Sequence, residues 1–473
     1  MHGNIIDYNN IKHIYFVGIG GIGMSAIAKI MMEKGYKIYG SDQNPGELTK
    51  MLKKQGATIY DSHRSENINE NIDLLIYSSA ISENNPERQE ALRKKIPQIK
   101  RAEILSTLME SAYSIAVAGT HGKTTTSSMI SYLAIKSKLD PTIAIGGVLN
   151  NLKTNARLGK SNYFITEADE YDRSFLKLNP DLAVITNIET DHLDCYGNFD
   201  NIKNAFKEFI NHIKQDGTLV CNIDSSTIKE ILPEITKNII TYGINCNADY
   251  RAKQIHFSKN QSTFSVYHKN ELTGNITLNI PGRHNISNAL ATIALGIKLG
   301  IPFKEIKDII PGYTGVERRF EVKGIINDIM IIDDYAHHPT EIDATIRSVR
   351  DGWKNRLIII FQPHLYSRTG DFYKEFANAL IQADIIIITE IYAARENPVN
   401  HISGEMIADY ANELAQRKIY YIKNMTSIPE FISPLLQPQD IVITMGAGDI
   451  WKVGEELIKR LTSTRKGKYT NIS

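Results

Sequence analysis

The stretch Ala118-Gly119-Thr120-His121-Gly122-Lys123-Thr124-Thr125-Thr126 follows an apolar run and precedes a helical pattern that starts near Thr124. A strand, a tight glycine loop and a helix start form an anion site, because the loop amides and the helix dipole converge on one point. Lys123 can reach the β- and γ-phosphates of a nucleotide, and Thr124 can place its hydroxyl on magnesium. Val117 stands where the usual phosphate-loop pattern has its first glycine. We predict ATP binding by Gly119, Thr120, His121, Gly122, Lys123, Thr124 and Thr125.

The composition is that of a globular chain in a reducing compartment. The chain has 473 residues, a net charge of +1 and 3 cysteines, too few and too scattered for a disulfide frame or a zinc site. No apolar run is long enough to cross a bilayer, and residues 1–12 lack a signal-peptide core. We therefore expect a cytoplasmic monomer or homodimer that binds small molecules, with neither nucleic acid nor membrane as a partner.

Apolar runs and glycine loops alternate along the chain as three α/β blocks, which we place at residues 1–108, 109–315 and 316–473. This alternation favours mostly parallel sheets, whose ligands bind at the carboxyl ends of the strands. A hairpin is expected over residues 254–280, with a turn at Lys269-Asn270, ahead of a helix over residues 285–299. The predicted strands are 13–18, 37–40, 74–78, 163–166, 182–186, 218–222, 330–333, 357–361, 385–389, 418–422 and 441–444.

A second glycine motif, Gly18-x-Gly20-x-x-Gly23, follows the first predicted strand and begins a helix. Asp42 stands about where a dinucleotide fold has its ribose-binding acid. Taken alone the motif predicts NAD, but its geometry selects any diphosphate at a helix N-terminus, including that of a UDP-linked substrate. Glycines that only permit close packing are the alternative. We assign substrate binding in this block to Gly18, Gly20, Gly21, Gly23, Ser41, Asp42 and Ser79.

Two acidic loops end strands of the second block. Glu167-Ala168-Asp169-Glu170 follows strand 163–166, and a loop containing His192 between Asp191 and Asp194 follows strand 182–186. Magnesium takes few protein carboxylates and completes its shell with phosphates and waters. We predict a metal site of Thr124, Glu170 and His192; the alternatives are a solvated acidic turn and a structural histidine.

Two motifs lie near the end of the second block. Gly282-Arg283-His284-Asn285-Ile286-Ser287-Asn288 precedes the long helix, so His284, Asn285 and Asn288 either cap this helix or contact the nucleotide. Gly315-Val316-Glu317-Arg318-Arg319-Phe320 opens the third block. A guanidinium suits a transition state that spreads charge over phosphoryl oxygens, so we predict that Arg318 contacts the γ-phosphate, with a surface salt bridge as the alternative.

Two loops of the third block, residues 333–339 and 361–368, end strands that we expect to be adjacent. A histidine and an arginine there can bind the carboxylate of a small amino acid, with Arg368 as a bidentate anchor. We predict a substrate site of Tyr335, His337, His364 and Arg368, with one of His337 and His338 structural. A glycine-rich loop at residues 444–449 completes this edge.

In their order, these motifs resemble the ATP-dependent Mur ligases of peptidoglycan synthesis. The resemblance spans residues 13–451 and implies a three-domain α/β fold. The implied domains are a Rossmann-like N-terminal domain for a UDP-sugar, a P-loop ATPase-like central domain for ATP, and a Rossmann-like C-terminal domain for an amino acid. The matching segments are VGIGGIGMS, AGTHGKTTT, EADEYD, TNIETDHLD, GRHNISNA, GVERRF, DDYAHHPTE, FQPHLYSRT and MGAGDIW.

The resemblance also implies a reaction. ATP phosphorylates the lactyl carboxylate of UDP-N-acetylmuramate, and the amine of L-alanine attacks the resulting acyl phosphate. Because two anions meet in the first step, Lys123, magnesium and Arg318 would offset their repulsion. The catalytic residues so implied are Lys123, Glu170, His192 and Arg318, and Asp334 is assigned to nucleotide binding.

Two positions depart from the family pattern. Leu365 stands where many members have an arginine, which leaves amino-acid binding to Arg368. Phe206 stands where several sister ligases carry a carbamylated lysine, so we predict no carbamylation here.

Three rival readings remain from the sequence. A muropeptide-recycling ligase would join a tripeptide to the same UDP-sugar. An NAD-dependent dehydrogenase would leave the phosphate loop unexplained, and a nucleotide-regulated binding protein would show no turnover.

Overall fold

The computed structural model describes residues 10–394 and 396–467, so most of the polar N-terminal segment lies outside the described residues. The chain divides into two compact units. The first comprises the chain through Lys253 together with Ser265–Ile276 and Ser287–Tyr313. The second comprises Gln254–Phe264, Thr277–Ile286 and the chain from Thr314 onward. Within the described ranges, none of the helices combines the length and the apolar character that a membrane span requires.

The first sheet has five parallel strands that place a glycine loop at its switch point. Its elements are β1 (His13–Val17), α1 (Ile22–Glu33), β2 (Lys37–Ser41), α2 (Glu47–Lys54), β3 (Thr58–Tyr60), β4 (Leu74–Tyr77), α3 (Pro86–Arg93), β5 (Gln98–Lys100) and α4 (Arg101–Glu110). The strand order is β3-β2-β1-β4-β5, and every pairing is parallel. The order reverses between β1 and β4, so the loop after β1 borders the crevice in which such sheets bind ligands.

The second sheet has β6 between β9 and β10, and both neighbours run parallel to it. Its strand order is β15-β14-β13-β12-β11-β10-β6-β9-β7-β8. The loops after β6, β9 and β10 therefore meet at one edge. The elements are β6 (Tyr113–Ala118), α5 (Lys123–Lys136), β7 (Thr142–Leu149), β8 (Thr154–Arg157), β9 (Tyr163–Glu167), β10 (Leu182–Ile185), α6 (Leu193–Tyr196), α7 (Phe199–Asn211), β11 (Thr218–Asn222), α8 (Ser226–Ile231), β12 (Asn238–Gly243), β13 (Tyr250–Ser258), β14 (Gln261–His268), β15 (Glu271–Leu278), α9 (Arg283–Lys298) and α10 (Phe303–Ile309).

The third sheet has the order β16-β17-β21-β18-β19-β20, with only the β16–β17 pair antiparallel. The expected adjacency of β17 and β18 is wrong, because β21 lies between them and pairs with both. The elements are β16 (Glu321–Ile326), β17 (Ile329–Asp334), α11 (Pro339–Gly352), β18 (Leu357–Phe361), α12 (Tyr366–Leu380), β19 (Ile385–Ile388), α13 (Gly404–Ala415), β20 (Tyr420–Tyr421), α14 (Ile428–Ile432), β21 (Ile441–Met445) and α15 (Trp451–Gly467).

The central strands read as continuous apolar runs because helices cover both faces of these sheets. Every residue of β10, β18 and β21 is buried. The prediction of an α/β fold with mostly parallel sheets is confirmed. The expected hairpin over residues 254–280 is instead three strands, β13 to β15, with the predicted turn at Lys269-Asn270 between the last two.

Candidate active site

The loop between β6 and α5 takes its shape from two glycines. Gly119 has φ 132° and Gly122 has φ 84°, values that residues with a Cβ rarely adopt. A Cβ on Gly119 would also collide with the hydroxyl of Thr186. The amide of His121 donates to Asn187 Oδ1 at 2.9 Å, which ties the loop to the end of β10. The loop therefore has the braced, open-backbone form of an anion-binding turn.

The side chain of Lys123 folds back over this loop. Its ammonium donates to the carbonyl oxygens of Gly119 at 2.7 Å and Thr120 at 3.1 Å, and it lies 2.8 Å from the carboxylate of Glu170. Burial alone would lower the pKa of Lys123, but the charges of Glu170 and Asp169 outweigh burial and raise this pKa. Lys123 is thus held as a largely buried cation beside the phosphate loop, with 16% of its side chain exposed.

The hydroxyl of Thr124 is hydrogen-bonded to Glu167, a residue that we did not select from the sequence. Thr124 Oγ1 donates to Glu167 Oε2 at 3.2 Å, and Ser127 Oγ donates to Glu167 Oε1 at 3.1 Å. The amide of Gly146 donates to the same carboxylate at 2.6 Å, and burial raises the pKa of Glu167. A threonine hydroxyl beside a carboxylate, both next to a phosphate loop, is a donor set that fits magnesium.

Glu170 and His192, the two other predicted metal ligands, lie near each other, and Glu170 pairs with Lys123. His192 Nε2 is 3.8 Å from Glu170 Oε1 and 3.7 Å from Asp191 Oδ2. Within the described ranges, no group of three or more histidine, cysteine or acidic residues is arranged as a metal cage. The metal role of Glu170 and His192 stays a prediction.

Two threonines of the loop have partners that brace the backbone. Thr120 Oγ1 accepts from the amide of Glu189 at 2.9 Å. The carbonyl oxygen of Thr125 accepts from Ser128 Oγ at 2.9 Å, inside the first turns of α5.

The motif at the start of α9 divides between the two units. In the first unit, Asn288 lies against the phosphate loop, because its Oδ1 is 2.9 Å from the position of a Cβ on Gly122. In the second unit, Asn285 Nδ2 donates to the carbonyl oxygen of Pro281 at 2.7 Å, which is a local bond at the helix start. His284 is exposed at the start of α9.

The glycine loop after β1 is braced from the end of β2. The amides of Gly18 and Ile19 donate to the carbonyl oxygen of Ser41, and the amide of Gly20 donates to Asp42 Oδ2 at 2.8 Å. Ser41 is fully buried, and its assignment to substrate binding stays a prediction. Ser41 lies behind the loop and supports it.

A buried carboxylate behind this loop was not found from the sequence. Glu87 is completely buried and lies within hydrogen-bond distance of four side chains: Tyr15 at 2.7 Å, Ser41 at 2.6 Å, Asn67 at 2.8 Å and His63 at 3.1 Å. These partners lie 20 to 72 residues from Glu87 in the chain, so no local motif announces the network. The network fixes the carboxyl ends of β2 and β3 beside the glycine loop.

The remaining predicted residues of this block differ in exposure. Gly21 caps α1, and its amide donates to the carbonyl oxygen of Gly18 at 3.3 Å. Ser79 is exposed after β4. A Cβ on Gly23 would lie 3.0 Å from Nη1 of Arg101, so Gly23 makes room for a guanidinium.

In the second unit, the predicted amino-acid site does come together. The rings of His337 and His364 have centroids 5.7 Å apart, and Arg368 Nη1 is 3.3 Å from His364 Nδ1. Tyr335 packs edge-on to His337, and Tyr392 stacks on His364 at 5.8 Å. Tyr392 was not predicted, because it follows β19 and no motif marks it. The loops meet even though β21 separates their strands.

His337 is held as a neutral ring in this cluster. Burial, more than any charged neighbour, lowers its pKa to about 4. Its Nδ1 lies 2.9 Å from the carbonyl oxygen of Tyr335, which selects the tautomer with the proton on Nδ1. Nε2 is then left as an acceptor at neutral pH.

The guanidinium of Arg318 forms its hydrogen bonds inside the second unit. Its guanidinium donates to Asp333 Oδ2 at 3.0 Å and to the carbonyl oxygens of Gly446 at 2.7 Å and Ala447 at 3.5 Å. Arg318 therefore holds the loop after β21 in place, rather than forming the surface salt bridge that was the alternative prediction. The predicted contact with the γ-phosphate stays a prediction.

Asp334 also braces a loop. The carboxylate accepts from the amides of Phe320 at 2.9 Å and Ala336 at 2.8 Å, and burial raises its pKa to about 6. Asp334 therefore braces the backbone, and its contact with the nucleotide stays a prediction.

The structure shows the surroundings of Leu365 and Phe206, the two residues that depart from the family pattern. Leu365 begins α12 with φ 70°, and its amide donates to the carbonyl oxygen of Tyr392. Phe206 is fully buried against Phe175, while Lys207 forms a surface ion pair with Glu234.

Comparisons with known proteins cover almost the whole chain. A model for the Mur ligase family catalytic domain matches residues 13–113, one for the Mur ligase middle domain matches residues 117–296, and one for the Mur ligase glutamate ligase domain matches residues 318–448. The chain is 47% identical over 454 residues to the UDP-N-acetylmuramate–L-alanine ligase of Geotalea uraniireducens (strain Rf4), covering 96% of this chain and 99% of that protein. It is 45% identical to the corresponding ligase of Geobacter sp. (strain M21), covering 97% and 100%.

Two solved structures are similar along the same length. The UDP-N-acetylmuramate-alanine ligase of Thermotoga maritima superposes with a TM-score of 0.84 at 28% identity, covering 96% of this chain and 99% of that chain. A murein peptide ligase of Psychrobacter arcticus 273-4 superposes with a TM-score of 0.71 at 25% identity, covering 95% and 98%.

Proposed function

Because this chain belongs to the Mur ligase family, we propose that it joins L-alanine to UDP-N-acetylmuramate at the expense of ATP, in peptidoglycan precursor synthesis. The observation that carries the choice of substrates is the similarity, at 42–47% identity over nearly the whole chain, to ligases of this name. The phosphate loop, with Lys123 charged and buried beside it, supports the use of ATP.

The proposed chemistry has two steps. An oxygen of the lactyl carboxylate attacks the γ-phosphorus of ATP, the bond to the bridging oxygen breaks, and ADP leaves. The amine of L-alanine then attacks the acyl carbon, loses a proton, and expels inorganic phosphate as the amide forms. Phosphorylation is needed because a carboxylate is a poor electrophile and has no leaving group.

Charge compensation is the main task of the first unit. Two anions approach each other in the first step, and a fixed cation at the meeting point lowers the barrier most effectively where water is excluded. Lys123 is the buried cation of this site, and its partner Glu170 keeps it charged. We propose that the ammonium turns from the carbonyl oxygens of its own loop to the phosphates of bound ATP.

Magnesium would bind at Thr124 and Glu167, with phosphate oxygens and waters as its other ligands. The ion would supply charge neutralisation and orientation of the phosphates. Glu170 pairs with Lys123 at the same edge of the sheet, and His192 lies next to Glu170.

We place the amino acid in the second unit. Arg368 is a buried guanidinium that can pair with the carboxylate of L-alanine. The neutral imidazole of His337 offers a hydrogen-bond acceptor to the amine without adding a repelling charge.

The test is phosphate release by the purified protein with ATP, magnesium and UDP-N-acetylmuramate, measured against each common amino acid and against the tripeptide of the recycling reaction. We expect L-alanine to stimulate phosphate release far above the control without amino acid. The likeness to the murein peptide ligase makes the tripeptide the second candidate, and stimulation by the tripeptide alone would establish that function instead. No stimulation by either would contradict the proposal.

A further inference from the structure

We propose that Arg101 binds the lactyl carboxylate of the sugar nucleotide and holds it toward the phosphate loop. This inference rests on the proposed function, since it assumes that the glycine loop after β1 binds the UDP-sugar. Arg101 is the first residue of α4 and follows β5, so it lies at the carboxyl edge of the first sheet.

The guanidinium of Arg101 lies between the two loops that the reaction must bring together. On one side, its Nη1 is 3.0 Å from the position of a Cβ on Gly23, and its Cδ is 3.3 Å from the same point. On the other side, its Nη2 is 3.5 Å from Oδ2 of Asp169. Gly23 is the last glycine of the motif and lies in the first turn of α1, and Asp169 belongs to the acidic loop after β9.

The Arg101 pair with Asp169 is weak. A charge-assisted pair of this type is normally about 2.7–2.9 Å long and often bidentate, whereas this contact is single and 3.5 Å long. Asp169 is 43% exposed, and its other oxygen accepts from the amide of Tyr171. Within the described part of the chain, this is the only hydrogen bond of the Arg101 guanidinium, so most of its five donors are available to a ligand.

The position of Asp169 identifies the kind of ligand. Asp169 precedes Glu170, the partner of Lys123, and its charge contributes to the raised pKa of Lys123. The sequence of charges along this edge is therefore Arg101, Asp169, Glu170 and Lys123, with a carboxylate next to Arg101. A substrate carboxylate in the place of the Asp169 carboxylate would lie on the side of Arg101 that faces the phosphate loop.

A diphosphate is the competing ligand for Arg101, because Gly23 belongs to the first turn of α1 and helix N-termini bind phosphates. The contact with Asp169 favours the carboxylate, since Nη2 already lies 3.5 Å from a carboxylate oxygen of the acidic loop. The two possibilities make different predictions for a sugar nucleotide that lacks the lactyl group.

The experiment compares two ligands by calorimetry in the absence of ATP. UDP-N-acetylglucosamine has the same diphosphate as UDP-N-acetylmuramate but no lactyl carboxylate. In Arg101→Gln, we expect the affinity for UDP-N-acetylmuramate to fall roughly ten- to a hundredfold, as for the loss of a charged hydrogen-bonded pair. The affinity for UDP-N-acetylglucosamine should stay within about twofold of the parent protein. Arg93→Gln is the matched control, because Arg93 pairs with Glu90 on the surface, and it should change neither affinity.

Equal weakening of both ligands would assign Arg101 to the diphosphate and overturn the proposal, as would no change for either. If the unsubstituted protein binds neither sugar nucleotide, the proposed function fails, and this inference fails with it. Asp169→Asn is a second variant that leaves Arg101 in place. It should tighten UDP-N-acetylmuramate binding several-fold by removing a competing carboxylate, and an unchanged affinity would contradict the inference.

Discussion

The predicted phosphate site of the first unit and the proposed amino-acid site of the second unit both lie at carboxyl ends of parallel strands, yet their charged groups behave in opposite ways. Around Lys123, neighbouring carboxylates outweigh burial and keep the ammonium charged. Around His337, burial prevails and keeps the imidazole neutral, with a pKa of about 4. The difference suits the ligands that we propose, because a triphosphate needs fixed positive charge and an attacking amine needs an acceptor that does not repel it.

Lys123→Met should have the largest effect, because it removes the positive charge at the phosphate loop. We expect a loss of turnover of about a thousandfold or more, since a buried charge that acts on the developing transition state is worth several kcal/mol. Initial rates of phosphate release measure the loss. Lys136→Met, at the other end of α5, is the control and should keep nearly full activity. A Lys123→Met protein with more than a tenth of parental activity would remove the basis for placing the reaction at this loop.

Arg368→Gln tests the second site with the next largest effect. We expect the KM for L-alanine to rise roughly ten- to a hundredfold through loss of a buried carboxylate partner. The KM for ATP should not change. Arg347→Gln is a suitable control, because Arg347 forms an exposed pair with Asp343 within α11. A rise in the KM for ATP comparable to that for L-alanine would mean that the two sites are not specialised as described.

Glu167→Gln and Glu170→Gln separate two roles within the phosphate site. Because Thr124 donates to Glu167, the magnesium concentration at half-maximal rate should rise about tenfold in Glu167→Gln. Glu170→Gln should mainly lower the rate at saturating magnesium, since Glu170 is the partner of Lys123. Magnesium titrations of both variants measure this. The opposite pattern would support Glu170 as the metal ligand, as predicted from the sequence.

The smallest expected effect concerns stability against pH in the second unit. The folded pKa of His337 is about 4, below its unfolded value of 6.5, so its contribution is complete above pH 6.5 and is lost as pH falls toward 4. Asp334 acts in the opposite direction, because its raised pKa of about 6 favours the folded protein at lower pH.

His337→Gln should therefore lose less stability than the parent protein between about pH 7 and pH 5, by about 1 to 2 kcal/mol. Denaturant unfolding at the two pH values measures the difference. Equal losses would show that His337 is not held neutral by burial.

The comparison of the two sites also shows how much of each could be predicted from the sequence. The phosphate loop and the glycine loop after β1 were predictable, because a strand, a glycine turn and a helix start are encoded within a dozen residues. The grouping of His337, His364 and Arg368 was predictable from strand ends, although the inferred adjacency of β17 and β18 was wrong.

Partners that come from distant segments were not predictable. Glu167 and Glu170 lie in one short acidic run, and only the fold decides which of them approaches Thr124 and which pairs with Lys123. Nothing in the local sequence indicates that Ser41 donates to Glu87, 46 residues further along. Arg101 does not belong to any of the motifs found in the sequence.

The central claim is that the sugar carboxylate is activated by phosphoryl transfer at the loop that holds Lys123. The most direct measurement uses UDP-N-acetylmuramate with a heavy oxygen isotope in its lactyl carboxylate, followed by mass analysis of the phosphate released in the presence of ATP and L-alanine. The account predicts that one labelled oxygen appears in each phosphate, because the attacking carboxylate oxygen leaves with the phosphoryl group. Phosphate without label, formed together with the amide product, would contradict it.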